Sequence, residues 1–300
     1  MRLIDSHAHL QADAFAADLA SVIESARNGG VERILVPGWD AGSSAAAVEL
    51  AREWGTEAAV GIHPHDAATA TAADWSSVVE LATATVVVAI GETGLDYDRL
   101  HSPRDAQLAN LRRHLRLALD SGKPAILHCR SAAGQRDAQD ALIAELEAAG
   151  FGGAAARAAF GDRPPAILHS FSGPVDYAAA ALEMGIAIAF GGLVFRRGEE
   201  ASAEVARMIP AGQLLVETDS PYLAPPGVPR GVAAAPNATA TPNATAAPNA
   251  APAAPRFSGR RNSPQWVRVT AEWLCQQRAA TPDSIGEGLV AAYDSIFRRT

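Results

Sequence analysis

The stretch RDAQLANLRRHLRLALDSGKPAILHCR, residues 104–130, has the pattern that decides the fold. Its first part has helical character and ends in glycine, as helix C-termini often do. A short apolar run follows, which is typical of a buried strand and ends in a histidine, His128. The same alternation of helix and strand recurs throughout the chain. We predict eight strands, at residues 2–5, 31–36, 57–62, 86–91, 124–128, 166–170, 186–190 and 213–218.

Strands that alternate with helices form a parallel sheet, and eight such units form a closed (β/α)8 barrel. The 300 residues fit one barrel of about 250 residues with insertions. We therefore predict an α/β protein with a single domain, a TIM barrel that spans residues 1–300. The alternative is a doubly wound open sheet, but no glycine-rich GxGxxG turn follows the first strand.

One segment departs from this pattern. Residues 231–255, GVAAAPNATATPNATAAPNAAPAAP, repeat a six-residue unit and contain no charged and no aromatic residue. Such a segment cannot bury enough surface to fold, so we predict a disordered, low-complexity insertion in the barrel. Asn237 and Asn243 match the N-glycosylation pattern, which we attribute to chance because no secretory signal is evident.

Composition limits the class of protein. A hydrophobic content of 48% is ample for a core. A formal net charge of −8 argues against a broad, sequence-independent nucleic-acid surface, but it leaves room for a local basic patch or for metal ions that receive a phosphate. The two cysteines imply no disulfide framework. With neither a secretory signal nor a membrane-spanning apolar run, we expect a cytoplasmic monomer that binds no membrane.

The chemistry of such barrels lies at the carboxyl ends of the strands. Six of the eight histidines fall at predicted strand ends, and the exceptions are His101 in a loop and His114 in a helix. The candidate metal ligands at these ends are His7, His9, Glu92, His128, His169 and Asp219. The third strand adds His63 and His65. A buried core role stays open for His128 or His169 alone, but buried carboxylates without a partner are costly.

The residues two positions before the candidate ligands support this interpretation, because alternation points them into the barrel one layer below. They are Asp5, Ile90, Ile126, Ile167 and Glu217. The three isoleucines suit a packed core, whereas the two carboxylates are unusual there. For Asp5 two roles stay open: it orients a ligand histidine, or it makes a structural hydrogen bond.

Six ligands are too many for one tetrahedral ion. Two divalent ions that share Glu92 as a bridge would use all of them, and such a pair stabilises both the attacking and the leaving oxygen of a phosphoryl transfer. The nucleophile would be a water activated by the two metals, and Asp219 could accept its proton as well as bind metal. Glu92 and Asp219 are therefore the predicted catalytic residues.

The motifs DSHAHL, GIHPHD, GETGLD, HSFSG and ETDSPYL, with the strand-ending His128, resemble those of the TatD family of metal-dependent deoxyribonucleases. They lie in order between residues 5 and 223, and RRNSPQWV at 260–267 resembles the last motif of the family. The resemblance implies a (β/α)8 fold and a two-metal, usually Mg²⁺-dependent nuclease, in some members a 3′–5′ exonuclease on DNA. It implies one ion at His7, His9, Glu92 and Asp219, and a second at Glu92, His128 and His169. It also implies that His63 and His65 contact the substrate phosphate.

Several points stay open in the sequence. Arginines gather in the loops expected at the catalytic mouth, and we assign Arg130 to substrate binding. Four imidazoles favour Zn²⁺, Mn²⁺ or Co²⁺ by ligand softness, whereas the resemblance implies Mg²⁺. The alternative function is another hydrolase on the same barrel, such as one that deacylates mischarged tRNA. A non-enzymatic scaffold is disfavoured because every ligand is present. The insertion departs from the family pattern and leaves the position of residues 256–261 open.

Overall fold

The computed structural model of the protein describes residues 1–229 and 260–297. Eight parallel strands pair in chain order and form a nearly closed barrel. Ser6 N donates to Val216 O (3.0 Å), and Ala8 forms a parallel bridge with Ser220, so the last strand returns to the first. The strands are β1 Leu3–Asp5, β2 Val31–Pro37, β3 Glu57–Val60, β4 Val87–Asp96, β5 Ala125–Arg130, β6 Ala166–Leu168, β7 Ala187–Phe190 and β8 Leu214–Val216. The fold is the predicted (β/α)8 TIM barrel, and the predicted insertion at 231–255 lies outside the described residues.

Helices cover the outside of the barrel. In the described part of the chain they are α1 Leu19–Asn28, α2 Ala41–Trp54, α3 Ala72–Leu81, α4 Arg104–Ser121, α5 Asp137–Ala149, α6 Ala154–Phe160, α7 Val175–Glu183, α8 Ser202–Met208, α9 Val267–Arg278 and α10 Pro282–Ile296. Within residues 1–229 and 260–297, none of these helices combines the length and the apolar character that crossing a membrane requires.

The α4–β5 unit shows how the sequence encodes this architecture. Helix α4 buries Leu111 and Leu115 against the sheet. It ends at Gly122, whose left-handed backbone (φ 63°) suits a residue without a Cβ atom. Two residues later the chain enters β5, which is buried over its first half and ends at the mouth of the barrel.

Strand β4 is longer than predicted. The predicted strand ended at residue 91, but β4 continues to Asp96, so Glu92 lies inside the strand and Asp96 occupies its end. The glycines of GETGLD do not end the strand here. A Cβ atom at Gly94 would collide with the carbonyl of His128 on the neighbouring strand, so glycine is what allows β4 and β5 to approach.

The interior below the mouth is packed as alternation predicts. Ile90, Ile126 and Ile167 are all buried. His114, one of the two histidines expected away from the site, is a structural residue. Ile62 N donates to its Nε2 (3.0 Å) while its Nδ1 donates to a helix carbonyl (2.7 Å), and burial lowers its pKa to about 3.

Candidate metal centre

The predicted ligands converge at the carboxyl end of the barrel, around the carboxylate of Glu92. On one side, Glu92 Oε2 lies 3.2 Å from His7 Nε2 and 3.6 Å from His9 Nε2. On the other side, Glu92 Oε1 lies 3.0 Å from His169 Nε2 and 3.2 Å from His128 Nδ1. Each carboxylate oxygen therefore faces its own pair of imidazoles, as a bridging ligand requires.

Asp219 completes the first of these groups. Its Oδ1 lies 3.4 Å from His9 Nε2 and 3.8 Å from His7 Nε2. Asp219 N donates to His7 O (2.8 Å), which joins the residues after β8 to those after β1. We call His7, His9 and Asp219 the first donor group, and His128 and His169 the second donor group.

The spacing of these atoms fits a metal ion. His7 Nε2 and His9 Nε2 are 3.1 Å apart. Two ligands of a tetrahedral ion are roughly 3.3 Å apart when each lies about 2.05 Å from it. The donor atoms of His7, His9 and Glu92 all lie within 4.8 Å of one another, and so do those of His7, His169 and Asp219. Imidazole and carboxylate ligands are the types that divalent metals take in proteins.

Hydrogen bonds behind the rings indicate which nitrogen faces the site. His9 Nδ1 lies 3.2 Å from the carbonyl oxygen of Pro37, and His169 Nδ1 lies 3.1 Å from Glu217 Oε1. Both partners are acceptors, so in a neutral ring, the form that binds metal, each Nδ1 carries the proton and each Nε2 presents a lone pair to the site. The two rings are therefore held in the orientation that a metal ligand needs.

Asp96 is a candidate functional residue that the sequence analysis missed. Its buried Oδ2 accepts hydrogen bonds from His128 Nε2 (3.2 Å) and His65 Nε2 (2.9 Å). In the neutral ring the proton of His128 is thereby on Nε2, which leaves Nδ1 to face Glu92. Burial alone would raise the pKa of Asp96, but the hydrogen bonds from His128 and His65 outweigh it and hold that pKa well below its usual range. The sequence did contain a signal for Asp96. It lies an even number of residues after Glu92 on one strand, and alternation places two such side chains on the same face.

His63 lies beside the second donor group but differs from the ligands. Its Nε2 is 3.4 Å from Glu92 Oε1, and its Nδ1 accepts a hydrogen bond from His65 N (3.1 Å). A neutral ring that accepts at Nδ1 carries its proton on Nε2, so Nε2 is a donor that faces the site. Burial lowers the pKa of His63 to about 4 in spite of Glu92, which keeps the ring neutral at pH 7. The donor atoms of His63, Glu92 and His128 also lie within 4.8 Å of one another, but the proton on Nε2 favours an oxygen of a substrate over a metal ion as the partner of His63.

Both carboxylates of the site are ionised. Burial alone would raise the pKa of Glu92, but His169, His63 and His7 hold it well below its usual range. The pKa of Asp219 is also lowered, because hydrogen bonding and charge from His9 and His7 outweigh burial. The side chain of Asp219 is 15% exposed and that of Glu92 only 4%. Asp219 is therefore the carboxylate that solvent and substrate reach more readily.

The two buried carboxylates below the site have different contacts. Glu217 bonds to the ring of His169 and so orients a predicted ligand. Asp5 accepts hydrogen bonds from the Thr218 hydroxyl (2.6 Å), from Thr218 N (2.9 Å) and from His7 N (3.3 Å). These contacts fix the backbone beside a ligand, which is the structural one of the two roles left open for Asp5. Burial raises its pKa to about 8.

The remaining predicted substrate residues lie at the rim of the site. Arg130 pairs with Asp98 (Nη2–Oδ2, 2.8 Å) and its side chain is half exposed. His65 contacts Asp96, and the ring of His101 lies beside it with ring centroids 4.3 Å apart. His101 is therefore near the site, although the sequence suggested only a loop position. The substrate-binding roles of His63, His65 and Arg130 stay predictions.

A barrel whose mouth gathers carboxylates and imidazoles at metal-binding spacing defines the class of metal-dependent hydrolases. The family model described as TatD related DNase matches residues 4–298. The chain belongs to this family, which confirms the predicted resemblance, and it is a hydrolase that acts on ester bonds.

Individual relatives agree with this family. The chain is 32% identical over 297 residues to "Uncharacterized metal-dependent hydrolase YabD" of Bacillus subtilis, and the match covers 99% of each chain. It is 36% identical over 230 residues to "3'-5' ssDNA/RNA exonuclease TatD" of Escherichia coli K12, covering 74% of this chain and 80% of that protein. A solved structure, the TatD homologue YjjV of E. coli K12, superposes with a TM-score of 0.75 at 25% identity, covering 99% of this chain and 98% of that one.

Proposed function

We propose that this protein is a divalent-metal-dependent phosphodiesterase that hydrolyses DNA from its 3′ end. The position of Glu92 carries the proposal, because its two oxygens each face a separate donor group. A carboxylate in this position suits a pair of ions rather than one. Paired metal sites serve in-line displacement at phosphorus in phosphatases and nucleases.

One ion would be held by His7, His9, Glu92 and Asp219, and the other by Glu92, His128 and His169. When bound, such ions stabilise charge on phosphate oxygens and lower the pKa of a coordinated water. We propose Mg²⁺ for activity. Zn²⁺ and Mn²⁺ are further occupants, since imidazole ligands favour them.

Asp219 accepts the proton of the attacking water. Its lowered pKa keeps the carboxylate ionised at neutral pH, which a general base requires. It is also the more exposed of the two catalytic carboxylates. Glu92 is almost fully buried and surrounded by imidazoles. These surroundings suit a carboxylate that bridges two ions better than one that accepts a proton from water.

His63, His65 and Arg130 orient the substrate. The Nε2 proton of His63 faces the site and would donate to a phosphate oxygen. The guanidinium of Arg130 can donate two parallel hydrogen bonds to a phosphate, and its half-exposed position at the rim suits the next phosphate along a strand. His65 is held by Asp96 at the same edge.

A nucleic-acid substrate is also supported by the E. coli relative, whose name describes a 3′–5′ exonuclease of single-stranded DNA and RNA. All donors of the two groups belong to one chain. We therefore propose that the protein works as a monomer on the 3′ end of DNA.

Digestion of 5′-labelled single-stranded and double-stranded oligonucleotides tests this proposal. With Mg²⁺ we expect a ladder of products shortened from the 3′ end. With Mn²⁺ or Zn²⁺ we expect the same ladder with a different extent of digestion, and with EDTA no products. An Asp219→Asn preparation serves as the matched control for contaminating nucleases. Intact oligonucleotides under all metal conditions, combined with hydrolysis of an aminoacyl-tRNA ester, would refute the proposal and favour the deacylase alternative.

A further inference from the structure

A groove of about 470 Å³ separates helices α3 and α4 on the outer wall of the barrel. Its apolar part comes from Trp75 and Val79 of α3 and from Ala109 and Leu117 of α4. Val79 is one of the large hydrophobic side chains that the described part of the chain leaves exposed (37%). The groove therefore presents apolar surface to solvent on the outside of the barrel.

The α4 side of the groove is cationic. It carries Arg112, Arg113 and Arg116 against one carboxylate, Asp120. Arg112 is paired with Glu145 (Nη2–Oε1, 2.6 Å), whereas Arg113 and Arg116 form no ion pair in the described part of the chain. In a chain whose formal net charge is −8, two unpaired arginines on one helix face form a local basic patch.

Arg113 is held in place within this groove. Its guanidinium carbon lies 4.6 Å from the ring centroid of Trp75, and its Nε and Nη2 both donate to Asn110 Oδ1 (3.1 and 2.7 Å). Asn110 is buried and is fixed in turn, because its Nδ2 donates to Ile62 O (2.7 Å) just after β3. Among the described residues Nη1 has no acceptor. An oriented, charged donor is therefore available to an anion.

The groove starts close to the metal centre. Helices α3 and α4 follow the loops after β3 and β4, so both begin at the mouth and run down the outer wall. The two loops are joined at the mouth, because the hydroxyl of Ser102 donates to His65 O (2.7 Å). Trp75 is the fourth residue of α3, about one helical turn below the mouth. At about 1.5 Å per residue, Arg113 and Arg116 lie about 14 and about 18 Å from the start of α4.

We propose that the groove between α3 and α4 binds the phosphate backbone of the single strand whose 3′ end occupies the metal centre. This inference rests on the proposed function. The strand leaves the donor groups past His65 and follows the groove to Arg113 and Arg116. Guanidinium groups match phosphate oxygens in geometry, and the apolar part of the groove accepts bases without reading their sequence. The groove thereby gives an acidic chain the cations that polyanion binding requires.

Binding measured without cleavage tests the groove. Fluorescence anisotropy of a 5′-labelled 15-nucleotide oligothymidylate in EDTA gives Kd at a series of salt concentrations. Each phosphate contact of a single strand contributes about 0.7 to the slope of log K against log salt, which is about 5-fold in affinity between 1 M and 0.1 M salt. For Arg116→Gln we therefore expect Kd at 0.1 M salt to rise about 5-fold and the slope to become shallower by about 0.7. Arg113→Gln should have an effect of the same size.

A comparison of two substrates locates the effect. At about 3.4 Å per nucleotide in a stacked strand, a dinucleotide at the metal centre is too short to reach Arg116, whereas a 15-mer is long enough. With Mg²⁺, Arg116→Gln should raise KM for the 15-mer about 5-fold with kcat unchanged, and should leave both constants for the dinucleotide unchanged. Arg116 is exposed and has no printed hydrogen bond to lose, so the variant should keep the thermal unfolding midpoint of the wild type.

Arg207→Gln is the matched control. Arg207 is an exposed arginine of α8, which follows β7 on the opposite side of the barrel, and it forms no ion pair in the described residues. Its replacement changes the net charge by the same amount, and Kd for the 15-mer should stay within about 1.5-fold. An equal rise in Kd for Arg207→Gln and Arg116→Gln would reduce the effect to overall charge and overturn the groove.

The remaining outcomes separate this inference from the proposed function. Equal rises in KM for the dinucleotide and the 15-mer, or unchanged 15-mer binding in both Arg113→Gln and Arg116→Gln, would overturn the groove and leave the nuclease in place. Unchanged 15-mer binding together with an Arg116-dependent affinity for a polyglutamate peptide would assign the groove to an acidic protein instead. If the wild type binds the 15-mer through Arg116 but cleaves no oligonucleotide, the groove stands and the proposed function fails.

Discussion

Asp96→Asn should weaken the binding of one metal ion and spare the other. Asp96 Oδ2 accepts from His65 Nε2 and His128 Nε2, while Oδ1 accepts from the backbone N of Asp98 (3.1 Å) and of Arg99 (2.8 Å). All four partners are donors. An asparagine has one acceptor oxygen and one NH₂ group, so either orientation of the amide sets its NH₂ against two donors.

The magnitude follows from the bond that is lost. A hydrogen bond to a charged group contributes about 1.5–3 kcal/mol, which corresponds to about 10- to 100-fold in an equilibrium constant. Without Asp96, the proton of His128 is no longer fixed on Nε2, so Nδ1 is a poorer ligand. Removing such an orienting partner typically lowers metal affinity by about 10–100-fold. We therefore expect a loss of this size for the ion at the second donor group.

Calorimetric titration of the metal-free protein with Mn²⁺ measures the two binding steps. For Asp96→Asn we expect one binding step, that of the ion at the second donor group, to lose about 10–100-fold in affinity, while the other step changes by less than about threefold. Asp98→Asn is the matched control, because it breaks the half-exposed pair with Arg130, and exposed ion pairs contribute about 0–1 kcal/mol. Equal weakening of both steps, or no change in either, would refute the role assigned to Asp96.

Three further predictions concern the bridge, the base and the insertion. Glu92→Gln should lose both ions or nearly so, and two ions per chain by elemental analysis would contradict the bridge. Asp219→Asn should lower kcat by at least about 10²-fold with an unchanged circular dichroism spectrum, since the amide cannot accept a proton. Near-normal turnover would remove Asp219 from the mechanism. Shortening residues 231–255 to a few residues should leave the midpoint of thermal unfolding, the metal content and the hydrolysis of a small phosphodiester unchanged. The reason is that the segment has no charge and no aromatic residue. Unfolding or loss of metal would show that it packs on the barrel.

The barrel and the convergence of the candidate ligands at its mouth could be predicted because both follow from local patterns. Eight apolar runs separated by helical segments specify the strand order, and six of the runs are followed by a histidine or a carboxylate of a type that binds metals. The end of β4 could not be predicted in this way, because glycine is unfavourable in strands. Gly94 is required by the approach of β5, which is a tertiary effect that local sequence does not encode.

The roles of the residues around the candidate ligands were harder to predict, because they depend on side-chain length and on which ring nitrogen carries the proton. Asp5 and Glu217 both lie two residues before a ligand, but they differ by one methylene. The longer Glu217 contacts the ring of His169, while Asp5 bonds to backbone and to Thr218. His63 is a histidine, like four of the candidate ligands. The hydrogen bond that it accepts at Nδ1 favours a proton on Nε2, so that Nε2 donates instead of binding metal. Only the three-dimensional contacts reveal this.

The central claim is that Glu92 holds two divalent ions, one at each oxygen. Anomalous diffraction from crystals of the wild-type protein grown with Mn²⁺ tests it most directly, because each ion gives its own peak. The account predicts two peaks, one between Glu92 Oε2 and the first donor group and one between Glu92 Oε1 and the second. A single peak, or two peaks of which only one contacts Glu92, would contradict it.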